Sequence, residues 1–210
     1  MSVVGLVMAG GRGTRIASRV EKPLMSLGGK TMLELVVEAL KGASRVEEIA
    51  VTTSLYTPKT KEMAKKLGLK TIETQGEDYV ADAQQAIRTL VPKTVLVISA
   101  DLPLVSSRLI DDVIEQYIRC GRPSLKVVTS IKPNRHKDEE GPTREGESAR
   151  PVGINVIDSR HINQPQIDEA TFLVNSKEVA ANVNTPEDLK ELLQQERSQS
   201  NTAVCSESSA

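Results

Sequence analysis

The residues best suited to chemistry gather near the start of the chain, where Gly10-Gly11-Arg12-Gly13-Thr14-Arg15 is followed by Glu21-Lys22-Pro23-Leu24. Glycine has no Cβ, so Gly10, Gly11 and Gly13 allow left-handed torsions, close approach to a ligand, and successive N–H groups turned toward one anion. Arg12, Arg15 and Lys22 place fixed cations beside those amides. Together they describe a cradle for a triphosphate, which carries about four negative charges; the competing reading is a tight turn with solvated basic side chains. The spacing lacks the third glycine of the dinucleotide fingerprint and the Gly-Lys-Ser/Thr ending of the common phosphate loop. Asp101, in Ser99-Ala100-Asp101-Leu102-Pro103, is the second candidate. Directly after a buried strand and beside a phosphate cradle, it offers hard oxygen to Mg2+ bridging phosphate oxygens, or else only forms a turn before a helix.

The elements that must position these residues follow from periodicity. Val3-Val4-Gly5-Leu6-Val7 reads as a strand buried on both faces that empties into the glycine loop. Thr31 and Glu34 form a capping box for a helix over 31–41, with Met32, Leu33, Val36, Val37 and Leu40 at helical spacing. Strands are predicted at 49–52, 69–73, 94–99, 125–131, 150–157 and 178–184. Helices are predicted after 78, carrying Val80, Ala83, Ile87 and Leu90, and after 103, carrying Leu109, Ile110, Val113, Ile114 and Tyr117. A last helix starts at Thr185-Pro186. Strands alternating with helices imply an α/β fold with a parallel sheet, whose ligands bind outside the carboxyl ends of the strands.

Several loops admit two readings. Thr57-Pro58 is an N-cap and first-turn pair, yet Ser54, Thr57 and Lys59 also follow the second strand, next to the glycine loop. The stretch Thr74-Gln75-Gly76-Glu77-Asp78-Tyr79 either starts a helix at Asp78 or offers amide and carboxylate acceptors to a base edge, guanine in particular. Gly153 within a strand marks a bulge, a packing contact or a close ligand approach. Asn182 and Asn184 share one face of a predicted strand and could hold a phosphate oxygen or a metal-bound water, or merely cap a turn.

The 210 residues suit one domain over 1–197, with a charged surface loop at 132–150 and a polar, disordered tail at 198–210. A formal charge of −1, no Trp, one Phe and three Tyr leave no nucleic-acid footprint, so aliphatic side chains must build the core. Neither a run of eighteen apolar residues nor a signal-type segment is seen, which predicts a cytoplasmic protein without a membrane segment. Cys120 and Cys205 suggest neither a zinc site nor a disulfide framework.

The glycine loop with Glu-Lys-Pro-Leu, the Ser99–Pro103 motif and Asn182-Val183-Asn184-Thr185-Pro186-Glu187-Asp188-Leu189 resemble the motifs of molybdenum-cofactor-type guanylyltransferases. Ile16-Ala17 departs from the Met-Gly that many relatives have there. Residues 52–62 and Pro151-Val152-Gly153-Ile154-Asn155-Val156 are similar to the archaeal GTP:adenosylcobinamide-phosphate guanylyltransferases of cobamide synthesis, with matching length and motif order. The resemblance implies a Rossmann-like nucleotidyltransferase fold, with helices on both faces of a mostly parallel sheet and one reversed strand near its edge. It implies GMP transfer from GTP to adenosylcobinamide phosphate with release of pyrophosphate. Such transfer needs in-line positioning and charge stabilisation, and no nucleophilic side chain. The resemblance assigns Met8, Ala9, Gly10, Gly11, Arg12, Gly13 and Thr14 to the nucleotide, with Ser54, Thr57 and Lys59 near the nucleoside. It makes Lys22, Arg15 and Asp101 catalytic, places Gly153, Asn182 and Asn184 near the acceptor or its phosphate, and gives Mg2+ to Asp101 and Asn184. Rival readings are another acceptor, as in molybdenum-cofactor or sugar-phosphate nucleotidyltransferases, and a GTP-binding module without chemistry.

Overall fold

The computed structural model describes residues 1–13, 20–90, 94–130 and 149–180, together with residues 183, 188 and 194. Seven strands form one sheet in the order β5-β4-β1-β6-β8-β7-β9. These are β1 (Val3–Met8), β4 (Val46–Thr53), β5 (Lys70–Glu73), β6 (Thr94–Ser99), β7 (Ser124–Ser130), β8 (Ala149–Asp158) and β9 (Glu169–Leu173). All pairings are parallel except those of β8, which runs against both β6 and β7. A two-stranded hairpin, β2 (Ser26–Leu27) with β3 (Lys30–Thr31), sits outside the sheet.

Period-two alternation sends β1 side chains to two cores. Val3 and Val7 pack toward α1 (Met32–Gly42) and α4 (Ser107–Cys120), whereas Val4, Leu6 and Met8 pack toward α3 (Tyr79–Thr89). Gly5 lets α1 come close, since a Cβ there would lie 3.0 Å from Leu40 Cδ2. The capping box at Thr31 and Glu34 forms as predicted, and both hydrogen bonds from Thr31 hold the Glu34 carboxyl below its ordinary pKa. On α4, Leu109, Ile110, Val113, Ile114 and Tyr117 are buried as predicted.

Three expectations are corrected. Residues 178–180 belong to α5 (Lys177–Ala180), not to a strand: Lys, Glu and Ala favour a helical turn, and the Glu178 carboxylate accepts from Ser106 N–H at 3.1 Å. The outer parallel strand is β9 instead. On α3, Val80 is 60% exposed; the buried face is Asp82, Ala83, Ala86 and Ile87. Residue 149, expected within the charged loop, begins β8, which then follows the strand predicted at 150–157. The rest of that loop, the tail and the start of the last helix lie outside the described residues.

Candidate active site

One edge of the sheet collects the loops. Register sets Met8 opposite Thr52 on one side and Ser99 on the other, and Thr53 opposite Glu73, so the loops leaving β1, β4, β5 and β6 emerge side by side. Antiparallel β8 brings its N-terminal half to the same edge, with Ile154 opposite Ile98. A cavity of about 370 Å3 opens there, within the range of small-molecule sites.

The first wall is residues 8–13 with Lys22 and Pro23. Ala9 N–H donates to Thr52 Oγ1 at 3.1 Å, which ties the start of the loop to β4. Among the described residues, no acceptor takes the N–H groups of Gly10, Gly11, Arg12 or Gly13. Of these three glycines only Gly13 has a positive φ, 63°. Gly10 sits in a tight space instead, because a Cβ there would lie 3.3 Å from both the Thr53 carbonyl carbon and Thr74 Oγ1. Arg12 stands half-exposed at the mouth, its guanidinium 4.5 Å from the Tyr56 ring centroid and 2.5 Å from Glu77 Oε1.

The second wall holds Ser99, Ala100 and Asp101. Lys22 Nζ pairs with Asp101 Oδ2, bridging two loops that are distant in sequence, and both side chains are largely buried. The other oxygen, Asp101 Oδ1, is buried and has no hydrogen-bond partner among the described residues. Val183 N–H donates to the Asp101 carbonyl at 3.1 Å, which fixes this loop from the far side.

The third wall is Gly76, Glu77, Asp78, Tyr79 and Asp82. Asp78 starts the helix, as one reading of the sequence had it: its Oδ1 accepts from Ala81 N–H at 2.7 Å and caps α3, and the residue also lines the cavity. Asp82 is buried, and its Oδ1 accepts from Gly76 N–H at 3.2 Å. Tyr79 keeps 41% of its surface exposed, yet burial of its phenol and then the Asp101 carboxylate raise that group's pKa.

Ser54, Thr57 and Lys59 do not line this cavity. Ser54 and Thr57 are buried, and their hydroxyls are occupied: Ser54 Oγ donates to the Gly10 carbonyl at 2.6 Å, and Thr57 Oγ1 accepts from Ser54 N–H at 3.0 Å. Lys59 is exposed in the first turn of α2 (Pro58–Lys66). Gly153 has φ 82° beside a register shift between β7 and β8, and its Cα faces Ser99, so it reaches the cavity only through that neighbour. Thr14, Arg15, Asn182 and Asn184 lie outside the described residues. Sequence reasoning missed Glu21 and Asp82, and left the 74–79 stretch undecided.

A model of the MobA-like NTP transferase domain matches residues 5–138. The chain is 32% identical over 196 residues to an adenosylcobinamide-phosphate guanylyltransferase of Methanocaldococcus jannaschii, covering 88% of this chain and 93% of that protein. It is 28% identical over 121 residues to a probable molybdenum cofactor guanylyltransferase of Thermococcus sibiricus, 56% of that protein. Among solved structures, a CMP:2-keto-3-deoxy-manno-octonic acid synthetase superposes with a TM-score of 0.72 at 16% identity, over 95% of this chain and all of that one. A 4-diphosphocytidyl-2C-methyl-D-erythritol synthase follows with a TM-score of 0.69 at 12% identity, over 92% and 97%. At such identities the structural matches establish the fold.

Proposed function

Because this chain belongs to the MobA-like NTP transferase family, we propose that it transfers GMP from GTP to adenosylcobinamide phosphate, giving adenosylcobinamide-GDP and pyrophosphate. That it is a nucleotidyltransferase follows from the family. The choice of donor and acceptor rests on one observation, the match along nearly the full length of the archaeal adenosylcobinamide-phosphate guanylyltransferase.

In this reaction a terminal phosphate oxygen of the acceptor attacks the α-phosphorus of GTP. The new O–P bond forms as the bond to the bridging oxygen breaks, and the electron pair leaves with pyrophosphate. The amides of Gly10, Gly11, Arg12 and Gly13 hold the triphosphate, with Arg15 and an Arg12 that exchanges Glu77 for phosphate oxygens. Lys22 leaves Asp101 for the α-phosphate, where charge develops. Glu77, Asp78 and Asp82 each keep oxygen capacity for the N1–H and exocyclic amino group of guanine; adenine offers an acceptor at N1 and meets carboxylates less well. Asn182 and Asn184 serve the acceptor phosphate, with Gly153 behind Ser99.

The residues fit Mg2+ in one respect: Asp101 Oδ1 is a buried carboxylate oxygen without a partner among the described residues, in a cavity lined by the glycine loop and Lys22. Among the described residues no three acidic, His or Cys side chains are placed to hold a metal ion, so Asp101, with Asn184, would hold the ion together with the substrate. Bound Mg2+ would neutralise charge on the triphosphate and orient it. Among the described residues no helix is long and apolar enough to cross a membrane, and the reading places the enzyme in the cytoplasm with its GTP.

The test is calorimetric titration with GTP, ATP and CTP, followed by adenosylcobinamide phosphate and a pyrophosphate assay. Binding of GTP over ATP, with pyrophosphate only when the corrinoid phosphate is present, supports the reading. GTP binding without pyrophosphate release removes the acceptor; absence of nucleotide binding removes the site.

A further inference from the structure

Helix α2 is capped by a residue that does not belong to it. Its local signature, Thr57-Pro58, should supply the cap, but Thr57 makes no side-chain cap bond because its hydroxyl accepts from Ser54 N–H. Pro58 has no N–H, which leaves the amides of Lys59 and Thr60 as the first donors in need of an acceptor. Glu21 fills that place from the loop that carries Lys22. Its Oε1 accepts from Lys59 N–H at 2.9 Å, and its Oε2 accepts from Thr60 N–H at 2.7 Å and from Thr60 Oγ1 at 2.6 Å. Three donors and the positive end of a helix thus converge on one carboxylate.

On the C-terminal side of this anchor the chain is already rigid. Leu24 N–H donates to the Glu21 carbonyl at 2.8 Å and Met25 N–H to the Lys22 carbonyl at 3.1 Å, closing a tight turn over Lys22–Leu24, with Pro23 buried inside it. Thr60 has no exposed surface, so the helix end of the anchor is enclosed by its neighbours.

We propose that Glu21 is a positioning residue for nucleotidyl transfer: by capping α2 it fixes the backbone from which Lys22 reaches Asp101 and the reacting phosphate. The proposal rests on the transfer role assigned to Lys22 above, and it accounts for an acid placed directly before that lysine. A misplacement of about 1 Å at a group acting on the transition state costs roughly a hundredfold in rate, so the carboxylate can matter without touching substrate.

The experiment compares wild type, Glu21→Ala, Lys22→Ala and the double variant for pyrophosphate release with GTP and adenosylcobinamide phosphate, alongside amide hydrogen exchange. Glu21→Ala is expected to lower kcat by roughly thirtyfold or more, within the cost of such misplacement, with KM for GTP nearly unchanged. In the Lys22→Ala background the same substitution should cost less than about twofold, because its effect runs through that lysine. Multiplying losses in the double variant, or an unchanged kcat in Glu21→Ala, overturns the proposal. Exchange at Lys59 and Thr60 should accelerate in Glu21→Ala whatever the acceptor, so protected amides there refute the anchor. Failure of the wild type to release pyrophosphate would instead count against the acceptor.

Discussion

A Cβ added to Gly76 would lie 2.5 Å from the carbonyl oxygen of Gly10, the same oxygen to which Ser54 Oγ donates, and 2.5 Å from that Oγ. The phosphate loop and the opposite wall of the cavity are therefore pressed together through three residues. Gly76 also has φ 74°, so any side chain there meets both steric overlap and an unfavourable torsion. Gly76→Ala should cost about 2–4 kcal/mol of stability, seen as a lower denaturant midpoint. The folded fraction should bind GTP more weakly, because the 9–13 loop must shift. Unaltered stability and affinity would mean that the two loops are not interlocked.

Lys22 and Asp101 are paired across the cavity, and each leaves the other for substrate in the proposed reaction. Lys22→Ala should lower turnover by roughly a hundredfold or more, the loss of one charged contact in the transition state. Asp101→Asn should cost a similar factor and reduce the effect of Mg2+ on GTP affinity, since a neutral amide oxygen is the weaker ligand for a hard cation. Single-turnover pyrophosphate release and titration with and without Mg2+ check both. A folded Lys22→Ala variant with near-normal turnover would remove that residue from the chemistry.

The sequence disclosed what short-range patterns encode. β1 with its glycine loop and β6 leading to Asp101 are apolar runs that give way to small or polar residues, so the strands and the loops that line the cavity were legible together. What escaped depends on contacts between distant segments. Thr57-Pro58 is a sufficient local cap signature, and nothing nearby reveals that Ser54 N–H takes the hydroxyl and that Glu21 replaces it. Val80 fits the helical period of α3, but in the first turn it stays exposed while Asp82, Ala83, Ala86 and Ile87 form the buried face. Lys177–Ala180 is too short for periodicity to separate a helical turn from a strand.

The capping box at Thr31 and Glu34 makes a pH prediction. Its hydrogen bonds to Thr31 set the folded pKa of Glu34 below the unfolded value of 4.5. The stabilisation is complete above that value and is lost as pH falls through the folded pKa. Glu34→Gln keeps an acceptor but cannot ionise, so it should be less stable than wild type at neutral pH, by about 0.3–1 kcal/mol, the worth of an exposed charge at a helix N-terminus. The difference should shrink as both are acidified below pH 4.5. Denaturant unfolding at a series of pH values checks this; a difference that does not depend on pH would mean that the charge of Glu34 contributes nothing.

Asp82 is the most buried acid on the third wall, and one of its oxygens already accepts from Gly76 N–H. A carboxylate so placed can take the adjacent N–H donors of guanine, whereas an amide presents one oxygen and an NH2 that repels one of those donors. Asp82→Asn should therefore weaken GTP more than ATP, with the ratio of affinities falling roughly tenfold or more, the cost of mispairing one charged hydrogen bond. The bond from Gly76 separates two causes. If the substitution acts only by loosening the 76–78 loop, GTP and ATP weaken together; if Asp82 reads the base, their ratio changes. Calorimetry of both nucleotides on the same preparation decides, and an unchanged ratio transfers base reading to Glu77 or Asp78.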